Sequence, residues 1–467
     1  MDFSDLLHAM EPYKIKVFYP TKLISREDRV NCLKKAHYNP FLLKSDDIFI
    51  DLLTDSGTGS QSAAQWSAMI SAGHSTINSE YVVQFVRTIR HITQFKHVFP
   101  VHQGRGAEGL VAKLLLNKNS VVLSNSLFDT TRAHVESSGA MGIDLATPSS
   151  KFMGDIDVEK FRESLDKFGS RIHLVIITCT NNVVAGAPVS MENIEVITKL
   201  CRTNNIPVFM DACRFVENAY FIKTLHEKYS KHTIIDIAHE MFSHFDGATM
   251  SLKKDGISNE GGFLAFNDDK WAQEIFDVVE YQSGYSTFGG ITGANLAACT
   301  VGISEAMNEN YLRSRIYQAK LLADFLEDNN IPVFKPVGAH AVYVKANEAF
   351  PHLEFDKYPA WSLTCAVYIE GGIRCGEIGN IMFGESPDGS KHTHPFEYVR
   401  LALPRRTYTV NHLHFVAKVF GNVTKKTHLI HGMEIVKSSH LLRHFTIWMK
   451  PINDILIEKE MNGFRQH

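Results

Sequence analysis

Short runs of β-branched and other apolar residues recur through the middle of this chain, each followed by a stretch with helical spacing. Val121-Val122-Leu123, Ile172 to Ile177, Val208 to Met210 and Gly262 to Phe266 read as short strands, and Asn193 to Cys201 reads as a helix between two of them. Runs that are apolar on both faces suit strands covered by helices on both sides, so a mainly parallel sheet in an α/β fold is expected. From Gly293 to Asn329 the pattern is long and helical, rich in Ala, Leu, Glu and Arg, and it stops at Asn329-Asn330 before Pro332. Strand patterning returns at Val333 and from Ala341 to Val344. The expected organisation is an arm (1–55) packing with a small C-terminal domain (311–467), and a large domain (56–310) carrying the main sheet.

Composition removes several classes of function. A chain of 467 residues with 48 basic and 51 acidic side chains is nearly neutral, which argues against a nucleic-acid footprint or a polybasic membrane surface. No stretch approaches the roughly 20 apolar residues a membrane helix needs. The first ten residues lack a basic region followed by an apolar core, so a signal peptide is not expected. Cys32, Cys179, Cys201, Cys213, Cys299, Cys365 and Cys375 are scattered, with no Cys-x-x-Cys pair. That is the pattern of reduced thiols, and a cytoplasmic protein is the expectation.

The chemistry sits in three places. Pro207-Val208-Phe209-Met210-Asp211 reads as a buried strand that delivers an acid at its C-terminal end, with Arg214 three residues on. Ser251-Leu252-Lys253-Lys254-Asp255 places a serine and two lysines after another apolar stretch. An amine for a Schiff base, an acid for a ring nitrogen and an arginine beside the ring are what pyridoxal phosphate chemistry asks of a protein. Third, His102-Gln103-Gly104-Arg105-Gly106-Ala107-Glu108 lies at a strand-to-helix junction. Small residues there let the backbone approach an anion, and Arg105 adds donors; a phosphate cradle and an ordinary glycine turn are about equally supported by this segment alone. It is neither a Walker A loop nor a dinucleotide fingerprint, which disfavours a nicotinamide fold. Phe128 is a candidate to stack on a pyridine ring or simply a core aromatic, and Asn182 follows a strand end, where ligands sit in open α/β sheets.

These segments, with several others, resemble the β-eliminating lyases of the tryptophanase and tyrosine phenol-lyase type. The resemblance runs nearly end to end, through Asn39-Pro40-Phe41-Leu42-Leu43, Ile50 to Thr58, His102 to Glu108, Val216 to Lys223, Met250 to Asp255, Arg400-Leu401-Ala402-Leu403-Pro404-Arg405-Arg406 and Leu442 to Thr446. It implies a fold-type I, aspartate aminotransferase-like architecture, with a large mostly parallel-sheet domain plus a smaller α/β domain. It further implies a dimer or tetramer with shared active sites, acting on an amino acid. Carried over, Lys254 is the Schiff-base lysine, and Gln103, Gly104, Arg105 and Ser251 are phosphate ligands with Lys253 close by. Phe128 is the stacking aromatic, Asp211 the pyridinium partner and Arg214 a ligand of the 3′-oxygen. Arg400 receives the substrate carboxylate, assisted by Thr54 and Asn182, and Phe41 and Phe445 line the substrate side. Gly57 and Asn259 match carbonyl ligands of a monovalent cation, K+ in the family.

Asp129, Ile378 and His444 are of the tryptophanase kind, whereas the phenol-lyase branch has an arginine in place of Ile378. Asp129 and His444 suit an indole N–H or its proton transfers, so they are carried over as catalytic beside Lys254. The resemblance breaks in the shell around the leaving group. Family members have Gly-Asp-Glu-Ala-Tyr where this chain has Ala72-Gly73-His74-Ser75-Thr76. The missing tyrosine is a proton donor with an ordinary pKa of about 10. Thr76 is far less acidic, and Tyr81 lies five residues away. His74 replaces the cation-binding glutamate without supplying its charge. Gly376 stands where the family has methionine or valine, and Ser283-Gly284-Tyr285 and Val184-Ala185-Gly186-Ala187-Pro188 also depart from it. The expected activity is β-elimination of L-tryptophan to indole, pyruvate and ammonium. The alternatives are C–S lyase, β-replacement or transamination chemistry on another amino acid, or a catalytically impaired paralogue.

Overall fold

The computed structural model describes residues 10–72, 77, 79–147, 151–384, 394, 396–439 and 442–453. His74 and Thr76 lie outside the described residues. Two compact units are present. One comprises the chain up to Asp55, Tyr317–Pro404 and the residues from Tyr408 onward; the other comprises Ser56–Ile316 with Arg405–Thr407.

Strand β1 (Ile50–Leu52) belongs to the first unit. The second unit carries a seven-stranded sheet built from β2 (His97–Val101), β3 (Val121–Ser124), β4 (Met141–Asp144), β5 (Ile172–Thr178), β6 (Val208–Asp211), β7 (Gly247–Ser251) and β8 (Gly262–Phe266). Their order across the sheet is β2-β8-β7-β6-β5-β3-β4. Every pairing is parallel except the two made by β8, which runs against both β2 and β7. Alternation along the strands explains the double-sided apolar runs. Val121, Leu123, Val175, Ile177, Val208 and Met210 enter one core, while Val122, Leu174, Ile176 and Phe209 enter another. Successive side chains of a strand point to opposite faces, so both faces here are dry.

Helix α1 (Gly104–Leu115) follows β2, α2 (Asp129–Ser137) follows β3, and α3 (Phe215–Leu225) follows β6. The helical pattern from Gly293 to Asn329 is not one helix. It forms α4 (Gly293–Ala306) and α5 (Glu309–Glu327), separated at Met307-Asn308. Asn308 accounts for the break, because its Oδ1 accepts the amides of Asn310 and Tyr311 and so starts a new helix.

In the first unit, β9 (Ala341–Lys345), β10 (Ile373–Ile378) and β11 (Tyr398–Ala402) join β1 in a sheet of order β1-β10-β11-β9. A two-stranded ribbon, β12 (Met433–Lys437) with β13 (Trp448–Pro451), completes it. Val333 contributes only an isolated bridge to Val344. Among the described residues, no helix is long and apolar enough to cross a membrane.

Candidate active site

Because β2 and β3 to β7 all run the same way, their C-terminal ends lie along one edge of the sheet, where open α/β folds collect their ligands. Gln103 to Arg105 follow β2, Phe128 and Asp129 follow β3, Asn182 follows β5, Asp211 closes β6, and Ser251 closes β7. The structure therefore brings the sequence-predicted cofactor residues of this unit to one edge. Asp211, Arg214, Asn182, Ser251 and Lys254 are all buried there.

Lys254 lies in the turn after β7, with its Nζ 3.7 Å from Cys213 Sγ and 5.7 Å from the centroid of the Phe128 ring. Asp211 accepts the Cys213 amide at 3.1 Å, and Cys213 Sγ accepts the Ser251 amide at 3.3 Å. Burial, and then the Asp211 carboxylate, push the Cys213 thiol upward, so it stays a neutral neighbour. Acid and amine are thus held together through Cys213 by β6, β7 and the turns after them, with the Phe128 ring beside the amine.

The anion cradle is equally specific. Gln103 caps α1 without a side-chain hydrogen bond to the first-turn amides; the Gly106 amide donates to the Gln103 carbonyl at 2.9 Å, so an anion at this helix start would meet the amides that precede it. Gly104 is pressed onto Ser251; a Cβ there would stand 2.7 Å from Ser251 Cβ and 3.0 Å from its nitrogen. Lys253 is displaced downward by burial first, then by the charges of Lys254 and Arg105. Three cations gathered at uncapped helix amides fit a phosphate, and the neighbouring acid, amine and ring fit a phosphorylated pyridine aldehyde.

Gly57 has φ +75°, and its amide donates to the Lys253 carbonyl at 2.8 Å. A methyl built on it would stand 3.2 Å from the Asn259 carbonyl oxygen and 3.4 Å from Lys253 Nζ. Gly57 and Asn259 are therefore neighbours, with an ammonium beside them. Among the described residues, no cluster of three His, Cys, Asp or Glu side chains is arranged to hold a metal.

The remaining predicted residues belong to the other unit. Arg400 on β11 pairs with Gly376 on β10, and its Nη2 donates to the Leu53 carbonyl at 3.1 Å, next to Thr54. A Cβ on Gly376 would meet only Leu53, at 3.5 Å, so a side chain fits there. Phe41, His444 and Phe445 cluster, with ring centroids 5.4 Å (Phe41–His444), 5.1 Å (Phe41–Phe445) and 4.1 Å (His444–Phe445) apart. Asn39 Nδ2 pins this turn by donating to the His444 and Ile447 carbonyls, and Arg443 donates to the carbonyls of Ile381 and Asn380. Ile378 is 1% exposed.

Residues that periodicity did not single out also shape the site. Asp255, directly after Lys254, accepts the Val216 and Glu217 amides and the Arg405 guanidinium at 2.7 Å. Arg405 also reaches Glu217 at 2.8 Å, and Arg315 reaches the same carboxylate at 3.2 Å. Burial and the adjacent Glu217 raise the Asp255 carboxyl, against the pull of Arg405. Glu108 is the other residue missed. In the sequence it is one letter of the glycine turn, yet it is buried and accepts the Thr130 hydroxyl at 2.7 Å.

Comparison with known proteins decides the family. The β-eliminating lyase family model matches residues 51–419. The chain belongs to the β-eliminating lyase family. A tryptophanase of Salinibacter ruber is 41% identical over 461 residues, covering 97% of this chain and 98% of its own. A tyrosine phenol-lyase of Clostridium tetani is also 41% identical, over 455 residues, covering 96% and 98%. Identity alone therefore does not separate the two activities. Among solved structures, an aromatic aminotransferase of Pyrococcus horikoshii aligns with TM-score 0.61 at 14% identity, covering 87% of this chain and 100% of its own. A form of SPT solved with PLP gives 0.58 at 15% identity, covering 82% and 89%. At such identities the likeness is one of fold, and it establishes the fold-type I architecture.

Proposed function

We propose that this protein is a pyridoxal phosphate-dependent lyase that splits L-tryptophan into indole, pyruvate and ammonium, with one water consumed. The observation that carries the reading is the convergence of Lys254, Asp211 and Phe128 beside the uncapped amides of α1. Pyridoxal phosphate, when bound, supplies an electron sink for the α-carbon of an amino acid. The chain's own side chains do the rest. Gln103, Gly104, Arg105 and Ser251 hold the phosphate, with Lys253 adding charge. Asp211 holds a proton at the ring nitrogen, Arg214 and Asn182 hold the ring's oxygen side, and Phe128 covers a ring face. Lys254 would hold the cofactor's carbonyl carbon and, at Nζ, would take the substrate's α-proton.

Arg400 receives the α-carboxylate through its fork of donors, with Thr54 assisting. Phe41 and Phe445 offer apolar walls to the side chain. Asp129 and His444 serve the indole N–H and the proton that the indole carbon must gain before it leaves. Ile378 favours indole over phenol, since an apolar side chain offers nothing to a phenolate. We further propose a cytoplasmic dimer or tetramer with shared active sites, in which Gly57 and Asn259 mark a weakened monovalent-cation site.

The test is a steady-state comparison of L-tryptophan, L-tyrosine and S-alkyl cysteine, following pyruvate and the released side chain. Release of indole and pyruvate in equal amounts, well ahead of phenol from tyrosine, is the expected result. Thr76 supports a second reading, because substrates with better leaving groups need less acid assistance. Fast pyruvate formation from S-alkyl cysteine, with tryptophan inert, would transfer the assignment to C–S bond cleavage.

A further inference from the structure

Glu108 is a buried carboxyl with no part in the roles assigned above. It projects from α1, and together with Asp211, Thr249, Thr131 and His134 it lines a partly open cavity of about 20 Å³ whose other walls are apolar. That is room for one water, and a site with several polar partners is the kind that holds one. Thr130, from the first turn of α2, donates its hydroxyl to Glu108 Oε2 at 2.7 Å.

Two carboxyls lining one small, mostly apolar cavity cannot both ionise cheaply. The groups around the pair decide which keeps the proton. Asp211 sits at the strand end with the Cys213 amide donating to it. Glu108 has a hydroxyl as its donor and feels burial first, then the Asp211 charge; Lys254 opposes these and Asp129 adds to them. His134, which also lines the cavity, is pushed toward its neutral form by burial, while its ring hydrogen-bonds the Arg105 backbone and feels the Arg105 charge. Burial and the Asp211 and Asp129 charges outweigh the Thr130 hydrogen bond and Lys254 and raise the Glu108 carboxyl to about 7.

We propose that Glu108 is a positioning residue for Asp211: it faces Asp211 as a neutral carboxylic acid and, through one water in the cavity they share, donates the hydrogen bond that keeps Asp211 the charged member of the pair. The inference rests on the reading of Asp211 as the partner of the ring nitrogen. An ionised Asp211 is what that partner must be, and a neutral donor behind it supports the charge without competing for it. Glu108 moves no proton of the reaction.

The test is an infrared titration of the full chain, without and with added pyridoxal phosphate, following the carboxylic-acid C=O band. The wild-type minus Glu108→Gln difference spectrum is expected to show one protonated carboxyl that ionises near pH 7. In Asp211→Asn the same band is expected to titrate about one pH unit lower or more, because the facing charge is gone. Glu108→Gln keeps a neutral donor, so its apparent cofactor dissociation constant stays within about threefold of wild type, whereas Glu108→Leu weakens binding about tenfold or more. A difference spectrum with no protonated carboxyl, or a midpoint that Asp211→Asn leaves in place, overturns the proposal. Failure of the cofactor reading shows elsewhere, as the absence of a Lys254-dependent visible band, and the titration without cofactor does not depend on it.

Discussion

Gly104→Ala isolates the cradle from everything else in the site. The alanine Cβ would stand 2.7 Å from Ser251 Cβ, 3.0 Å from its nitrogen and 3.1 Å from its Cα. Carbon atoms in contact rest about 3.5–4.0 Å apart, so α1 or the end of β7 must retreat by roughly 1 Å. Three of the obstructing atoms belong to one residue of a central strand, two of them backbone, and none can swing away as a long side chain can. Overpacking of this kind costs about 1–3 kcal/mol, and alanine's better helix propensity returns up to about 1 kcal/mol. Global stability should therefore fall by no more than about 3 kcal/mol. The phosphate feels the displacement directly, because the first-turn amides and Ser251 move apart. We expect the apparent dissociation constant for pyridoxal phosphate to rise about tenfold or more, equivalent to about 1.4 kcal/mol. Gly106→Ala is the comparison: its Cβ would meet the His102 ring at 3.1 Å, and that ring can turn aside. The assay is equilibrium dialysis of the cofactor, with urea unfolding of the same proteins. Wild-type affinity in Gly104→Ala would refute the packing argument, as would equal losses at Gly104 and Gly106.

Other consequences follow from the same contacts. Arg405→Met leaves Asp255 and Glu217 buried without their shared cation and should cost about 3–5 kcal/mol in urea unfolding; a loss below about 1 kcal/mol would contradict the assigned cluster. Ile378→Arg installs the phenol-lyase residue at a buried position. Indole release from tryptophan should fall more than about tenfold, and an unchanged rate in a folded variant would remove Ile378 from the specificity argument. Asp155 accepts the Ser190 amide and hydroxyl, yet burial outweighs both and raises it to about 7. Its folded pKa lies above the unfolded value, so its contribution is fully present at acid pH and lost as pH rises through the window ending near 7. The slope is about 1.4 kcal/mol per pH unit, and Asp155→Asn should flatten it in unfolding measured across that range.

The strands at β3, β5, β6 and β8 were legible in the sequence because they are buried on both faces and so read as nearly unbroken apolar runs. Their polar punctuation was legible too. Asp211 and Ser251 end strands, and Gln103-Gly104-Arg105 opens a helix, which is where a parallel sheet presents its ligands. The break between α4 and α5 was hidden because helical spacing continues through it; only Asn308, a good N-cap, signals it. Glu108, Cys213 and the Asp255–Arg405–Glu217–Arg315 cluster could not be read. Each owes its meaning to partners on other elements, and a carboxylate in a helix looks the same whether it faces water or Asp211. The departures at His74 and Thr76 are legible only as letters, since both lie outside the described residues.

The central claim is that Lys254 takes the α-proton of tryptophan. It is tested most directly by incubating holoenzyme with L-tryptophan in deuterium oxide and following the Cα–H signal by proton NMR alongside indole release. The account predicts that wild type exchanges the α-proton at least as fast as it forms indole, and that Lys254→Ala does neither. Exchange at a near wild-type rate in Lys254→Ala, or a cofactor-loaded wild type that leaves the α-proton untouched, would contradict it.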